Sequence, residues 1–463
     1  MAKLSFPSDG EKMARFGRMK DSRTTAFLVV DRVLREQAYL HLLLRSSLAR
    51  SQLSEQDKAF VTELAMGTVR MCKKLDHVIS HFVDRPLEEI DQRALNLIRL
   101  GTYQLWEMHI PSHAAVYETV EIAKRLLGKG LASYVNAVLR SLSGETQRVK
   151  WPPREELMDF LSVVHSHPVW LVEYLIEHFG EERAEAICRS NNRRAPLSIR
   201  VNTMRHTVEE YADWLRNNEG NFTQSVFIPE GLTQVHMPGW LLLQEWEKGE
   251  FVVQDESSML VSYILDPQPG EFIIDACSAP GGKTSHIAQL CGDRSEILAV
   301  DNQQKRIRSL ERMVKNLGLH SVRLTLGDAR ELPEIAGRKA DRVLVDAPCS
   351  GLGTLRRRPD IKWKRQREDI YQLASIQQEI LDAAAAVLRK GGILVYSVCT
   401  ITREETVEVI DRFLRAHDDF TLEEPLKFCP GEIPQPQEYP GFLFVFPDLH
   451  MIDGMFVARL KKM

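Results

Sequence analysis

Two cysteines stand where a thiol could act. Cys349 follows the apolar run Val343-Leu344-Val345 through Asp346-Ala347-Pro348, and Cys399 follows Tyr396-Ser397-Val398 at the end of a run that begins at Ile393. A thiolate is a capable nucleophile, and a carboxylate beside it can orient a substrate or handle a proton. One cysteine alone is ordinarily a small buried hydrophobe. Two of them beside one aspartate, at the ends of neighbouring strands, point to chemistry instead. Upstream, Phe272-Ile273-Ile274 leads into Asp275-Ala276-Cys277-Ser278-Ala279-Pro280-Gly281-Gly282-Lys283-Thr284. Paired glycines let a backbone approach a ligand closely, and the following helix offers free N–H groups. This is not a triphosphate loop, because Cys277 occupies the place of that motif's first glycine, and the dinucleotide pattern GxGxxG is absent. Asp301 closes the run Ile297–Val300, where a carboxylate can accept both hydroxyls of a ribose. Asp328 closes Val322–Leu326 through Gly327 and is placed to meet a base edge. Aspartates at successive strand ends after a glycine loop point to an adenosine-type ligand.

Such residues need a parallel sheet to gather them. From Gly270 onward apolar strands alternate with helical segments, which implies an α/β sheet covered on both faces, with ligands beyond the carboxyl ends of its strands. The last two strand-like runs, Phe442–Phe446 and Met455–Leu460, fit an antiparallel hairpin closing a sheet edge. Residues 21–150 read as an all-α domain: apolar positions recur at helical spacing, and Ser54 with Asp57 resembles a capping box. Residues 1–20 form a polar extension. Residues 151–250 open on Trp151-Pro152-Pro153 and read as linker helices followed by a small α+β module, leaving 251–463 as the catalytic domain.

The chain has 463 residues with a net charge of -4, so it carries no global basic signature for a polyanion. The charge is divided unevenly. Residues 1–150 hold 23 Lys and Arg against 17 Asp and Glu, so any nucleic-acid contact must be local. None of the seven cysteines forms a CxxC pair, which argues against a zinc knuckle or a disulfide framework, and no metal is expected. No apolar run nears the length that spans a membrane and no signal peptide is visible, so a cytoplasmic protein is expected.

The motifs DACSAPGGKT, GDAR, DAPCSG, RRRPDIKW and YSVC, with SIRVNT and VVQDESS before them, resemble the RsmB/Sun (Fmu) branch of the Nop2/Sun family of RNA cytosine-C5 methyltransferases. The resemblance covers nearly the whole chain. It implies a multi-domain protein: an N-terminal all-α NusB-like RNA-binding domain, the small α+β module, and a C-terminal Rossmann-like class I methyltransferase domain using S-adenosyl-L-methionine. Departures are small. Ser278 stands where alanine is common, and SVCT replaces the more frequent STCS.

By resemblance, Cys399 is the nucleophile that adds to C6 of the cytosine, making C5 reactive. Asp346 hydrogen-bonds the base, and Cys349 assists product release. The Pro-Cys nucleophile of DNA cytosine methyltransferases is a competitor matched by Pro348-Cys349, and the second cysteine tips the choice to Cys399. The resemblance also places Cys277, Ser278, Ala279, Pro280, Gly281, Gly282, Lys283, Asp301, Asp328 and Asp346 around the cofactor. The target base must be unstacked to meet cofactor and thiol together, which favours single-stranded or looped RNA. Arg356, Arg357, Arg358, Lys362 and Lys364, near Trp363, are the expected phosphate contacts, with Arg200 and Asn202 as further candidates. The expected substrate is small-subunit (16S) ribosomal RNA, bound by a monomer. The alternatives are a transfer-RNA cytosine methyltransferase and a non-catalytic RNA-binding assembly or antitermination factor.

Overall fold

The structure, a computed structural model, describes residues 21–436 and 439–463; the expected extension at 1–20 lies outside them. Two compact units emerge: residues up to Asn192 together with Arg358–Lys364, and Arg193–Arg357 together with Arg365–Met463.

In the first unit, helices Ser22–Glu36, Leu40–Arg50, Glu55–Arg70, Cys72–Ser80, Gln92–Trp106, Ser112–Leu127 and Lys129–Gly144 bury their apolar faces in one core. Local chemistry sets where they begin. The Ser54 hydroxyl accepts the Asp57 N–H at 3.1 Å, and Asp91 accepts those of Arg93 and Ala94, so helix-start donors are satisfied. Helices Leu157–Val164, Val169–Phe179 and Glu181–Asn191 also lie in this unit. Leu157–Val164 packs on Cys72–Ser80, and the Ser166 hydroxyl accepts the Lys73 N–H at 3.1 Å. The distant segment Arg358–Lys364 also lies here. Trp363 packs on the core and donates its indole N–H to the Val69 carbonyl at 2.7 Å. Lys364 donates to the Ala38 carbonyl and to Asp360, each at 2.7 Å.

The second unit contains two sheets. Strands β1 (Ile199–Val201), β2 (Asn221–Gln224), β3 (Gly231–His236) and β4 (Phe251–Val253) form an antiparallel sheet in the order β2-β3-β1-β4. Its core holds Ile199, Val201, Tyr211, Leu215, Leu232, Val235 and Phe251. Because β4 pairs with β1, the boundary expected at 250/251 falls inside this small sheet.

The larger sheet comprises β5 (Phe272–Asp275), β6 (Glu296–Asp301), β7 (Val322–Leu326), β8 (Ala340–Asp346), β9 (Leu388–Val398), β10 (Phe420–Glu423), β11 (Leu443–Val445) and β12 (Met455–Lys462). Its order is β10-β12-β9-β8-β5-β6-β7, with β11 beside β12; β5 to β9 are parallel and β12 runs antiparallel to β9. The expected hairpin of β11 and β12 is present, but β12 is interior, and the short β10 takes the edge. Register gathers the chemistry-bearing loops. Asp346 lies opposite Ser397 and Asp275 opposite Leu344, so β5, β8 and β9 end together and present their loops at one edge.

Candidate active site

The glycine loop leaves β5 and enters helix Gly282–Leu290. Gly281 has φ +109°, a conformation that favours glycine, and a Cβ there would clash with Leu310 Cδ1. The helix start is braced from within the unit. Arg200, with no exposed surface, donates to the Gly282 carbonyl and the Ser285 hydroxyl, each at 2.8 Å, to Gln289 at 3.3 Å, and to Gln254.

Carboxylates line the strand ends. Asp275 accepts the Thr284 hydroxyl at 2.6 Å on one oxygen, while its Oδ1 is buried without a hydrogen-bond partner among the described residues. Burial pushes its carboxyl up to about 7, and the charges of Asp346 and Asp301 add to the effect. Asp301 accepts the Gln303 N–H at 3.0 Å and the Ala279 N–H at 3.3 Å, with Arg306 at 3.4 Å. Asp328 accepts from the backbone and guanidinium of Arg330, which hold its carboxyl below the ordinary range. Cys277 is half-buried, and burial followed by the neighbouring carboxylates pushes its thiol well up, which makes it a poor nucleophile. Ser278 donates its hydroxyl to the Val300 carbonyl at 3.0 Å.

At the next strand ends, the sulfurs of Cys349 and Cys399 lie 3.3 Å apart and both residues are half-buried. The hydrogen bond to Cys399, together with burial, pushes the Cys349 thiol well up, which favours its protonated form. Asp346 is engaged on both oxygens: Lys283 Nζ donates to Oδ2 and the Ser397 hydroxyl to Oδ1, each at 2.8 Å. Lys283 thus links the glycine loop to the aspartate beside the thiols, a pairing that sequence spacing does not reveal.

These groups suit the expected sulfonium cofactor. An orphaned carboxylate oxygen on Asp275 amid Asp301 and Asp346 favours a cationic ligand, and the glycine-lined helix start suits an anionic end.

The expected RNA contacts fare differently. Arg200, Asn202, Arg356 and Lys362 are enclosed, with at most 2% of their surface exposed, and offer no face to a phosphate. Asn202 donates to the Gly249 carbonyl at 2.8 Å, Arg356 to that of Met451 at 2.6 Å, and Lys362 to Asn192 Oδ1 at 3.2 Å. Arg357 is clamped by Asp255 at 2.6 Å and Asp453 at 2.7 Å, and Lys364 by Asp360. Of the seven, Arg358 is the exposed one. Arginine and lysine there read alike in sequence whether they brace a fold or meet a solvent-borne anion.

Comparisons with known proteins agree with this architecture. Residues 262–461 match the 16S rRNA methyltransferase RsmB/F family, 167–236 the ferredoxin-like domain of RsmF/B-like methyltransferases, and 20–143 the NusB family. The chain is 36% identical to the probable ribosomal RNA small subunit methyltransferase B of Bacillus subtilis over 95% of this chain and 98% of that one. It is also 36% identical to ribosomal RNA small subunit methyltransferase B of Vibrio vulnificus, over 86% and 92%. Among solved structures, that of PH0851 superposes with a TM-score of 0.81 at 27% identity, covering 96% of this chain and 99% of its own. NSun6 from Pyrococcus horikoshii with SFG gives 0.59 at 28% identity, covering 65% and 99%. With relatives of this similarity along nearly its whole length, the chain belongs to the RsmB/F family of 16S rRNA methyltransferases and carries the NusB and ferredoxin-like domains found with it.

Proposed function

We propose that the protein methylates C5 of a cytosine in small-subunit ribosomal RNA, using S-adenosyl-L-methionine and a transient bond between Cys399 and C6 of the base. The observation that carries this reading is the pair of sulfurs 3.3 Å apart at the ends of adjacent parallel strands, with Asp346 on the same edge. S-adenosyl-L-methionine supplies a methyl group on a sulfonium; Cys277 to Lys283, Asp301, Asp328 and Asp346 would hold it.

Cytosine C5 is too weakly nucleophilic to react unaided. The Cys399 thiolate adds to C6, and the electron pair released toward N3 and C5 makes C5 the attacking atom. Asp346 accepts a hydrogen bond from the base, while its partner Lys283 gives the proton that N3 requires. Once C5 carries the methyl group, its proton leaves to a base, the C6–S bond breaks with its electrons returning to Cys399, and N3 gives its proton back to Lys283. Cys349, whose thiol keeps its proton, hydrogen-bonds that departing sulfur. The protein acts on a single-stranded or looped region as a cytoplasmic monomer; among the described residues no helix is long and apolar enough to cross a membrane.

Two variants test the assignment on denaturing gels. Cys399→Ala is expected to abolish both methylation and the covalent RNA adduct. Cys349→Ala is expected to accumulate the adduct. The reverse pair of phenotypes would move the nucleophile to Cys349. Bisulfite sequencing of RNA from a deletion strain identifies the substrate: loss of one small-subunit position supports the proposal, and loss confined to transfer RNA overturns it.

A further inference from the structure

Behind the Cys349 loop lies a buried carboxylate that the proposed mechanism does not use. Glu405 follows β9 in the turn before helix Val407–Ala416, and it has no exposed surface. Its Oε1 accepts the backbone N–H of Ser350 at 2.8 Å and the Gln377 side-chain amide at 3.0 Å. Its Oε2 accepts the hydroxyls of Ser350 at 2.5 Å and Thr402 at 2.7 Å. Gln377, equally buried on helix Arg367–Val387, donates also to the Pro348 carbonyl at 2.9 Å. The residues on either side of Cys349 are therefore gripped by one Glu–Gln pair. On the far side, the Ser350 and Thr400 hydroxyls meet at 2.8 Å, and Thr400 follows Cys399. Gly353 N–H donates to the Cys399 carbonyl at 3.0 Å, and the Tyr396 hydroxyl to the Glu405 carbonyl at 2.7 Å. The network thus touches the backbone at both thiols without reaching either sulfur.

A buried carboxylate is costly unless its lone pairs are filled, and here four donors fill them. Burial still raises the Glu405 carboxyl. A group with no exposed surface has no route to substrate, so proton transfer to the base is not its task.

We propose that Glu405, with Gln377, is a positioning residue that sets the Cys349 sulfur against Cys399, and that its loss stalls the enzyme at the covalent RNA adduct. This rests on the roles proposed for the two thiols. Substitutions separate position from charge. In Glu405→Gln the amide oxygen can take the place of Oε1 and keep both N–H donors. Its NH2 group then faces the Ser350 and Thr402 hydroxyls, which can turn from donating to accepting. Glu405→Ala leaves all four donors without a partner.

The test uses the full-length protein, with C5-tritiated small-subunit RNA and S-adenosyl-L-methionine, reading turnover and gel-stable adduct together. Glu405→Ala is expected to lose turnover by about 100-fold, the scale of a misplacement near 1 Å, while adduct accumulates as in Cys349→Ala. Glu405→Gln should stay within about threefold of the parent, since its hydrogen bonds can be re-formed. Gln377→Ala, which keeps the carboxylate, should also accumulate adduct and serves where Glu405→Ala does not fold. Loss of turnover without adduct in both alanine variants, or a Glu405→Gln variant as inactive as Glu405→Ala, would overturn the proposal. Adduct persisting in a Cys399→Ala/Gln377→Ala double variant would instead overturn the assignment of Cys399.

Discussion

Asp275 shows how one side chain records its surroundings. It ends β5 inside the fold, with one oxygen bonded to Thr284 and the other without a partner among the described residues, and burial raises its carboxyl to about 7. The folded chain therefore holds a proton there that the unfolded chain releases near the ordinary carboxylate range. Stability from this group is fully present below the unfolded value and is lost as pH rises through about 7. Asp275→Asn removes the ionisation. It is expected to melt close to the parent at pH 4 and to be more stable at pH 8, by up to about 4 kcal/mol. Thermal unfolding across this range checks the sign; a gain that shrinks with rising pH would contradict it. Asp275, Thr284 and the thiol motifs are visible as residues in the sequence. The unpartnered oxygen is not, because it depends on what packs around β5.

Among the elements, Arg358–Lys364 departs furthest from its place in the chain. It follows the Cys349 loop, yet it packs with the helices of the first unit, where Trp363 lies against the core and bonds to Val69. Truncating such an anchor removes apolar contacts and leaves the Val69 carbonyl without this donor. Trp363→Ala is expected to destabilise the first unit by about 3 kcal/mol, read as a lower melting temperature and faster amide exchange in Glu55–Arg70. Unchanged exchange in that helix would show that the indole is not an anchor. Sequence periodicity finds five of the seven helices of residues 22–144 because each has one apolar face, and passes over Leu40–Arg50 and Cys72–Ser80. Periodicity tells which face of a helix is buried, not against what, so the packing of Leu157–Val164 on Cys72–Ser80 is not legible in it. The edge strand β10 escapes for a related reason: four residues, Phe-Thr-Leu-Glu, carry too little pattern to announce a strand.

For the molecule as a whole, the net charge of -4 means that RNA must be met by local basic faces, against a weakly repelling background. Binding is expected to weaken steeply as salt rises, because each neutralised phosphate releases counterions. With Arg356, Arg357, Lys362 and Lys364 buried or ion-paired inside the fold, the exposed Arg358 is the member of that cluster placed to contribute. Arg358→Gln should reduce the slope of log affinity against log salt by about one charge, whereas Arg356→Gln should leave it unchanged. Filter binding of small-subunit RNA fragments across a salt series measures both, and equal slopes for Arg358→Gln and the parent would exclude Arg358 from the interface.

The sequence by itself determined the class of fold, the order of its domains, the glycine loop and the two thiol positions, since these rest on local periodicity and on residue types that only certain chemistry uses. Tertiary structure decided the rest. It set the 3.3 Å between the sulfurs, the hold of Lys283 on Asp346, the grip of Glu405 on the Cys349 loop, and the conversion of Arg200 from a candidate RNA contact into an internal brace. Each of these joins residues from separate elements, and strand register and burial, which act between distant parts of the chain, alone bring them within bonding distance.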